Sequence, residues 1–389
     1  MTSGRPLVVH VIAGLGNGGA EATLVRLCRG VTDFRHHVIS LTDEGRYGEE
    51  LPSHSVGVTT LGMSRGRVGP AGLWRLWREL RRLRPDVVQT WMYHADLLGG
   101  LAARAAGVRN VIWNIRHSTL DGSSLRRSTR LVARLCALSS GWLPARIICC
   151  AHAARDNHVA FGYAQRRMVV IHNGYDRAGF SIDSAEVQTF RSSLGLDGGE
   201  VVLGMVARLH PDKDHRGFLQ ALARLRRDGF RFRVLLAGPD MTPDNPLVQG
   251  MLAETGLSDR VTPIGPRTDI ATVMSSLDVH VLASRTEAFP NVVAEAMLCS
   301  TPCVVTDVGD AAEIAGDTGW IVPAGDPDAL AAALKQAILA LADADAWQAR
   351  RRAARERVAR RYSLDRMRSG YRSVWATPAG GRLPFRNLK

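Results

Sequence analysis

The stretch Val279-His280-Val281-Leu282-Ala283-Ser284-Arg285-Thr286-Glu287-Ala288-Phe289-Pro290-Asn291-Val292-Val293-Ala294-Glu295-Ala296 decides how the rest of the chain is read. It opens as a short apolar run rich in β-branched residues, the pattern of a buried parallel strand. A loop carrying Glu287 follows, and Pro290 helps to start a helix that holds Glu295 one turn in. Strand, tight turn and helix N-terminus together aim backbone N–H groups and a positive dipole end at one spot. Such a place suits a phosphorylated ligand, and two carboxylates eight positions apart suit that ligand's hydroxyls.

Working outward, the same strand-then-helix alternation recurs on both sides. Downstream of residue 200, strands are expected at 201–207, 232–237, 261–264, 279–283, 303–306 and 320–322. Helices are expected between them at 217–227, 247–255, 270–277, 292–298 and 328–341. Upstream, strands are expected at 7–13, 37–41, 58–63, 86–91, 110–116, 146–151 and 168–171. The helical patterns there cover 71–84, 96–106, about 124–139 and 153–161. Alternation of this kind means an α/β fold with doubly wound parallel sheets.

The 389 residues exceed one ordinary domain, at roughly 150 residues each, so two to three are expected. His172-Asn173-Gly174-Tyr175-Asp176 breaks the alternation with an Asn-Gly turn, and the stretch to Gly199 is polar. The expected organisation is a first Rossmann-like domain over 1–172, a linker region over 173–199 and a second Rossmann-like domain over 200–362. A helical C-terminus over 347–375 has no strand after it and starts no third domain.

Hydrophobic residues make up 46% of the chain and charged residues 22%, so each domain can bury a core. The six cysteines show neither paired metal spacing nor a disulfide framework, which fits a reducing cytosol. No apolar run reaches the ~20 residues needed to span a bilayer, and no signal pattern precedes the first strand. A cytoplasmic protein is expected, with any membrane contact peripheral. The net charge of +13 makes phosphates, nucleic acid and anionic lipid the candidate partners.

Some of that charge lies in 73–84, where Leu73, Trp77, Leu80 and Leu83 are expected on one helical face and arginines on the other. Arg126, Arg127, Arg130 and Arg134 repeat at helical spacing further on. A basic amphipathic helix of this kind can rest on an anionic membrane, or pack on the sheet with a solvated basic face.

The chemistry concentrates at strand ends. After the first strand, Gly14-Leu15-Gly16-Asn17-Gly18-Gly19-Ala20-Glu21 forms a side-chain-poor loop where open α/β sheets bind ligands, without the GxGxxG spacing of dinucleotide sites. After the strand at 201–207, Arg208 and Lys213 offer a planar fork and a compact charge that hold a diphosphate from two sides.

In combination these motifs resemble the retaining nucleotide-sugar glycosyltransferases of family 4, which have the GT-B fold. The resemblance rests on Gly16 to Glu21, Asn173-Gly174-Tyr175-Asp176, Arg208 to Lys213, Gly238, Gly265 and the E-x7-E pair Glu287 and Glu295. It covers nearly the whole chain. It implies two Rossmann-like domains facing a cleft and a C-terminal helix, about 363–389, that returns to the first domain.

The resemblance also implies roles. Arg208 and Lys213 would hold the donor diphosphate and stabilise the charge that grows on it. Glu295 would take the ribose hydroxyls, and Glu287 hydroxyls of the transferred sugar. Amides of Asn291, Val292 and Val293 would meet the phosphates. The base would lie near Ile264 and Gly265, and Gly18 and Gly19 would admit the donor phosphate and acceptor. His117 would contact the sugar near the reacting carbon, and His94 is a further acceptor-side candidate. Ala288, Ser300 and His210 depart from the family pattern without removing a charged group.

No DxD-type cluster is present, so the expectation is retaining, metal-independent transfer with no cofactor. The expected donor is a nucleotide diphosphate sugar, UDP preferred and GDP the alternative, and the expected acceptor a hydroxyl, with a lipid-linked saccharide one candidate. Two other functions remain open at this point. One is a nucleotide-sugar epimerase of the same architecture, and the other a basic nucleic-acid-binding protein, for which recognition-module signatures are lacking.

Overall fold

A computed structural model describes residues 4–16, 18–64, 69–118, 120, 127–196 and 199–381. Asn17, Arg126, the expected helix start at 124–126 and residues 382–389 lie outside the described residues. The chain forms two compact units, one of residues 1–174 with 365–389 and the other of residues 175–364.

The first unit is built on strands β1 (Leu7–Ile12), β2 (Arg35–Ser40), β3 (Gly57–Thr60), β4 (Val87–Trp91), β5 (Val111–Ile115), β6 (Arg146–Cys149) and β7 (Met168–Val170). They form one sheet in the order β3-β2-β1-β4-β5-β6-β7, with every pairing parallel. Helices α1 (Gly19–Gly30), α2 (Gly45–Glu50), α3 (Pro70–Leu83), α4 (Tyr93–Ala105), α5 (Arg127–Ser139) and α6 (His152–Ala160) connect them. Strands β1, β4 and β5 are buried along their whole length, as a sheet covered on both faces requires.

The second unit follows the same plan with α7 (Ser184–Ser193), β8 (Val201–Val206), α8 (His215–Arg227), β9 (Phe232–Ala237), α9 (Pro246–Thr255) and β10 (Val261–Gly265). It continues with α10 (Ile270–Ser275), β11 (Val279–Leu282), α11 (Asn291–Leu298), β12 (Cys303–Thr306), α12 (Ala311–Ala315), β13 (Trp320–Val322), α13 (Pro327–Ala340) and α14 (Ala344–Arg361). Its parallel sheet runs β10-β9-β8-β11-β12-β13. Phe218, Leu222, Leu225 and Phe232 anchor its core.

Helix α15 (Leu364–Ala376) belongs to the first unit. Trp375 Nε1 donates to Gln89 Oε1 at 2.5 Å, Asn114 Nδ2 donates to the Tyr371 hydroxyl at 2.8 Å, and Tyr371 stacks on Trp91. The C-terminal helix therefore returns to the N-terminal sheet as the resemblance implied.

The alternation of elements is as the sequence patterns predict, apart from the unexpected short helices α2 and α12 and four further differences. The C-terminal helical stretch is two helices, α14 and α15, interrupted at Tyr362-Ser363. Helix α4 begins at Tyr93, so His94 sits in its first turn and not in the preceding loop. The buried face of α3 is Gly72, Leu76 and Leu80, one step round from the predicted stripe, with Trp74 52% exposed under the Arg78 guanidinium. Helix α7 occupies part of the polar stretch after Gly174: Asp183 caps it by accepting from the Ala185 amide, and its Glu186 accepts from Thr272 Oγ1 at 2.6 Å.

Candidate active site

In each sheet the strand order reverses at one point, between β8 and β11 in the second unit and between β1 and β4 in the first. Loops leaving the carboxyl ends of those strands diverge to opposite faces and leave a crevice. The residues singled out in the sequence fall largely at these two places.

In the second unit, the loop after β8 carries Arg208, which is exposed, and a short turn over Pro211–Lys213. The loop after β11 carries Glu287. Lys213 Nζ and Glu287 Oε1 are 2.5 Å apart, and Ser284 Oγ donates to the same carboxylate oxygen at 2.8 Å. The two loops are also tied by backbone, since the Arg285 amide donates to the Asp212 carbonyl at 2.7 Å. Asp214 adopts a left-handed conformation (φ 50°), caps α8 through the Gly217 amide, and pairs with the Arg285 guanidinium at 3.0 Å. Three cationic side chains, Arg208, Lys213 and Arg285, thus lie on the two loops that flank the switch point.

Glycines shape this edge. Gly309 (φ +57°) follows β12, and a Cβ there would come within 2.4 Å of the Ala288 carbonyl oxygen and 2.6 Å of that of Glu287. The next amide, of Asp310, donates to the Ala288 carbonyl at 2.9 Å. The Glu287 loop is therefore seated on a backbone that only glycine permits. Gly238, at the end of β9, makes the same kind of approach to Ala207.

Asn291 is the first residue of α11, and its side-chain oxygen accepts from the Tyr175 hydroxyl at 2.5 Å. The Val293 amide donates to the Pro290 carbonyl at 3.1 Å, so of the three amides expected to face phosphate this one is already engaged. Glu295 lies one turn further along α11 and is half-buried. Ile264 and Gly265 end β10, at the sheet edge two strands from β8. Gly265 has φ +70°, and its amide donates to the Met241 carbonyl at 2.8 Å. A cavity of about 590 Å³ lies beside the β8 loop, lined by Leu209, His210, Asp214, Met251 and Arg285.

In the first unit, Gly18 is the N-cap of α1 with extended backbone, and Gly19 opens the helix. Glu21 stands in that first turn, where a Cβ on Gly18 would meet its carboxylate at 2.3 Å. Burial raises the Glu21 pKa, with the Arg116 guanidinium among the opposing influences. Met92, between β4 and α4, holds φ 71° and ψ 160°, a strained conformation for a residue with a side chain. His94 follows two residues on, half-buried, with its pKa lowered by burial. His117 follows β5, also half-buried. Beneath this edge Asp96 is fully buried, accepts from Thr90 Oγ1 at 2.5 Å, and has its pKa raised by burial to about 7.

Sequence reasoning did not single out Arg285, Asp214, Gly309 or Asp96 as site residues. Arg285 and Asp214 each look like ordinary surface charge until the fold pairs them. Gly309 carried a usable signal, a glycine just after a buried strand.

His10, Cys28 and His36 approach closely enough to share an ion. Their ring nitrogens are otherwise occupied: Trp91 Nε1 donates to His10 Nδ1 (3.4 Å), His10 Nε2 meets His36 Nδ1 (3.1 Å), and His36 Nε2 meets the Val31 carbonyl (2.8 Å). One set of tautomers satisfies the whole chain of bonds.

Comparison with known proteins agrees with this geometry. Residues 17–178 match the family described as Glycosyltransferase Family 4, and residues 200–339 match Glycosyl transferases group 1. The protein EpsF of Bacillus subtilis is 27% identical over 332 residues, 79% of this chain and 80% of that one. A UDP-Gal:alpha-D-GlcNAc-diphosphoundecaprenol alpha-1,3-galactosyltransferase of Escherichia coli is 27% identical over 60% of each chain. Among solved structures, Anabaena HepE in complex with UDP and glucose superimposes with a TM-score of 0.81 at 20% identity, covering 94% of this chain and 98% of that one. WaaG, a glycosyltransferase involved in lipopolysaccharide biosynthesis, superimposes with a TM-score of 0.73 at 15% identity, covering 95% and 99%. At those identities the structures speak for the fold, and the two family matches speak for descent: the chain belongs to the group 1, family 4 glycosyltransferases, with the two Rossmann-like units of the GT-B fold.

Proposed function

We propose that this enzyme transfers a hexose or N-acetylhexosamine from a nucleotide diphosphate sugar to a hydroxyl acceptor, with retention at the anomeric carbon. The observation that carries the proposal is the Lys213–Glu287 pair at the β8/β11 switch point, with Arg208 on the same loop as Lys213 and the α11 N-terminus following the Glu287 loop. Arg208 and Lys213 neutralise the departing diphosphate, which does the electrostatic work of a metal ion and makes transfer metal-independent. The leaving diphosphate oxygen takes the acceptor hydroxyl's proton while the new glycosidic bond forms on the same face. Glu287 and His117 contact the transferred sugar, Glu295 the ribose, and Asn291 and Val292 the phosphates. The base lies by Ile264 and Gly265, Gly18 and Gly19 admit the donor phosphate and the acceptor, and His94 acts on the acceptor side.

UDP is the preferred nucleotide and GDP the alternative, and UDP bound to HepE and UDP-Gal in the Escherichia coli relative's name support that choice. The same relative's diphosphoundecaprenol substrate supports a lipid-linked saccharide as acceptor. The test is incubation of the purified protein with UDP- and GDP-sugars, with and without a diphosphopolyprenyl saccharide, followed by NMR of the product. An α-linked product from an α-linked donor, formed only with acceptor, is expected. Turnover of donor alone to its epimer would instead assign the chain to the epimerases, and a β-linked product would exclude retention.

A further inference from the structure

Helix α5 carries its apolar stripe on the side away from the core. Ala133, Cys136 and Ser139, at i, i+3 and i+6, are its buried residues, and small side chains there let it lie against α4. Leu131, Leu135 and Leu138, at i, i+4 and i+7, are 59%, 42% and 79% exposed, and Trp142 just past the helix is 58% exposed. A helix packed on a soluble sheet ordinarily buries the leucine stripe and exposes polar residues. Leu101 on the neighbouring α4 is 40% exposed as well. Contiguous exposed apolar surface of this kind marks an interaction site.

The charge around the ridge has one sign. From Arg127 to Arg146 the sequence holds four arginines and neither aspartate nor glutamate. The turn bearing Trp142 is itself ringed by arginine, since Arg104 donates to the Trp142 carbonyl at 2.8 Å and Arg166 and Arg167 both reach the Gly141 carbonyl at 3.2 Å. Burial and the neighbouring Arg166, Arg146 and Arg104 lower the pKa of Arg167, which is the electrostatic signature of cations crowded together. Such a cluster attracts an anionic surface.

We propose that α5 and the Trp142 turn form a docking surface for an anionic lipid bilayer. The leucines and Trp142 enter the boundary between headgroups and acyl chains, and the surrounding arginines meet lipid phosphates. Apart from Trp142, the apolar side chains of the surface are leucines, with no π-face on which bases stack, which favours lipid over single-stranded nucleic acid as the occupant. No described helix is long and apolar enough to cross a membrane, so the attachment is peripheral. The surface uses none of the residues assigned to donor or acceptor, and its test involves no sugar.

The test is flotation of the full-length chain with vesicles of phosphatidylcholine alone and of phosphatidylcholine mixed with phosphatidylglycerol. Three proteins are compared: the natural chain, a Leu138→Ser, Trp142→Ser variant and an Arg127→Glu, Arg134→Glu variant. All four positions are exposed, and thermal melting checks that the variants remain folded. The natural chain is expected to float with the mixed vesicles, and the Leu138/Trp142 variant to bind them at least about tenfold more weakly, given the apolar area withdrawn. The arginine variant is expected to lose the preference for phosphatidylglycerol. Absence of flotation by the natural chain, or equal flotation by the Leu138/Trp142 variant, would overturn the proposal. So would vesicle binding abolished by single-stranded DNA that binds the Leu138/Trp142 variant as tightly as the natural chain, since the surface would then be one for nucleic acid.

Discussion

Lys213 and Glu287 sit on loops from two adjacent strands, β8 and β11, and meet across the switch point of the second sheet at 2.5 Å, with Ser284 donating to the same carboxylate oxygen. The lysine is thereby held in place before any substrate arrives, and in the proposed transfer it would be a preorganised cation at a developing oxyanion, which costs little reorganisation during reaction. Replacing Lys213 by alanine is expected to lower kcat by about 10²- to 10³-fold while shifting the donor KM much less. Steady-state kinetics over a range of donor concentrations reads both parameters. A raised KM with unchanged kcat would mean that Lys213 only binds the ground state.

Gly309 offers a test of how the Glu287 loop is supported. At φ +57°, with backbone oxygens of Glu287 and Ala288 where a Cβ would go, Gly309→Ala cannot be accommodated by moving a flexible side chain. The variant should lose about 1–3 kcal/mol of stability and a larger share of activity than that loss explains at a temperature where it remains folded. Thermal melting together with initial rates distinguishes the two effects. Natural values of both would show that the loop does not depend on this approach.

If Arg208 and Lys213 supply the charge that a metal would, transfer should continue in EDTA at the rate seen with added Mg²⁺ or Mn²⁺. Loss of activity in EDTA with recovery on adding a divalent ion would refute that assignment.

Asp96 gives the first unit a pH dependence of known sign. Its folded pKa of about 7 lies above the unfolded value of about 3.9, because burial disfavours the carboxylate. The stability it contributes is full below the unfolded pKa and is lost as pH rises towards 7, at up to about 1.4 kcal/mol per unit. The Asp96→Asn variant cannot ionise, so its stability relative to the natural chain should rise between pH 4 and 7 and then level off. Denaturant unfolding across that range reads the difference, and a flat difference would show that Asp96 ionises normally.

The order of strands and helices was legible because a parallel strand covered on both faces must be a largely apolar run, as 201–206 and 303–305 are. That Lys213 and Glu287 would come to one sheet edge was legible for a related reason: strand ends in such sheets have few possible destinations. Other features depend on tertiary partners that local patterns do not record. Helix α7 carries no apolar stripe of its own that announces it, and it is held by Asp183 at its start and Thr272 from α10. The outward face of the α5 leucines has no local signature either, since it is set by Ala133, Cys136 and Ser139 being the residues buried in that helix. The Arg285–Asp214 pair joins positions 71 residues apart and has no sequence signature.

Titration calorimetry with UDP, and with GDP in parallel, measures whether the β8/β11 edge of the second unit holds a nucleoside diphosphate. One of the two should bind the natural chain without added metal. Glu295→Ala should weaken that binding at least about tenfold, the scale of a lost charge-assisted hydrogen bond. Absence of binding by either nucleotide, or undiminished binding by both Glu295→Ala and Lys213→Ala, would contradict the account.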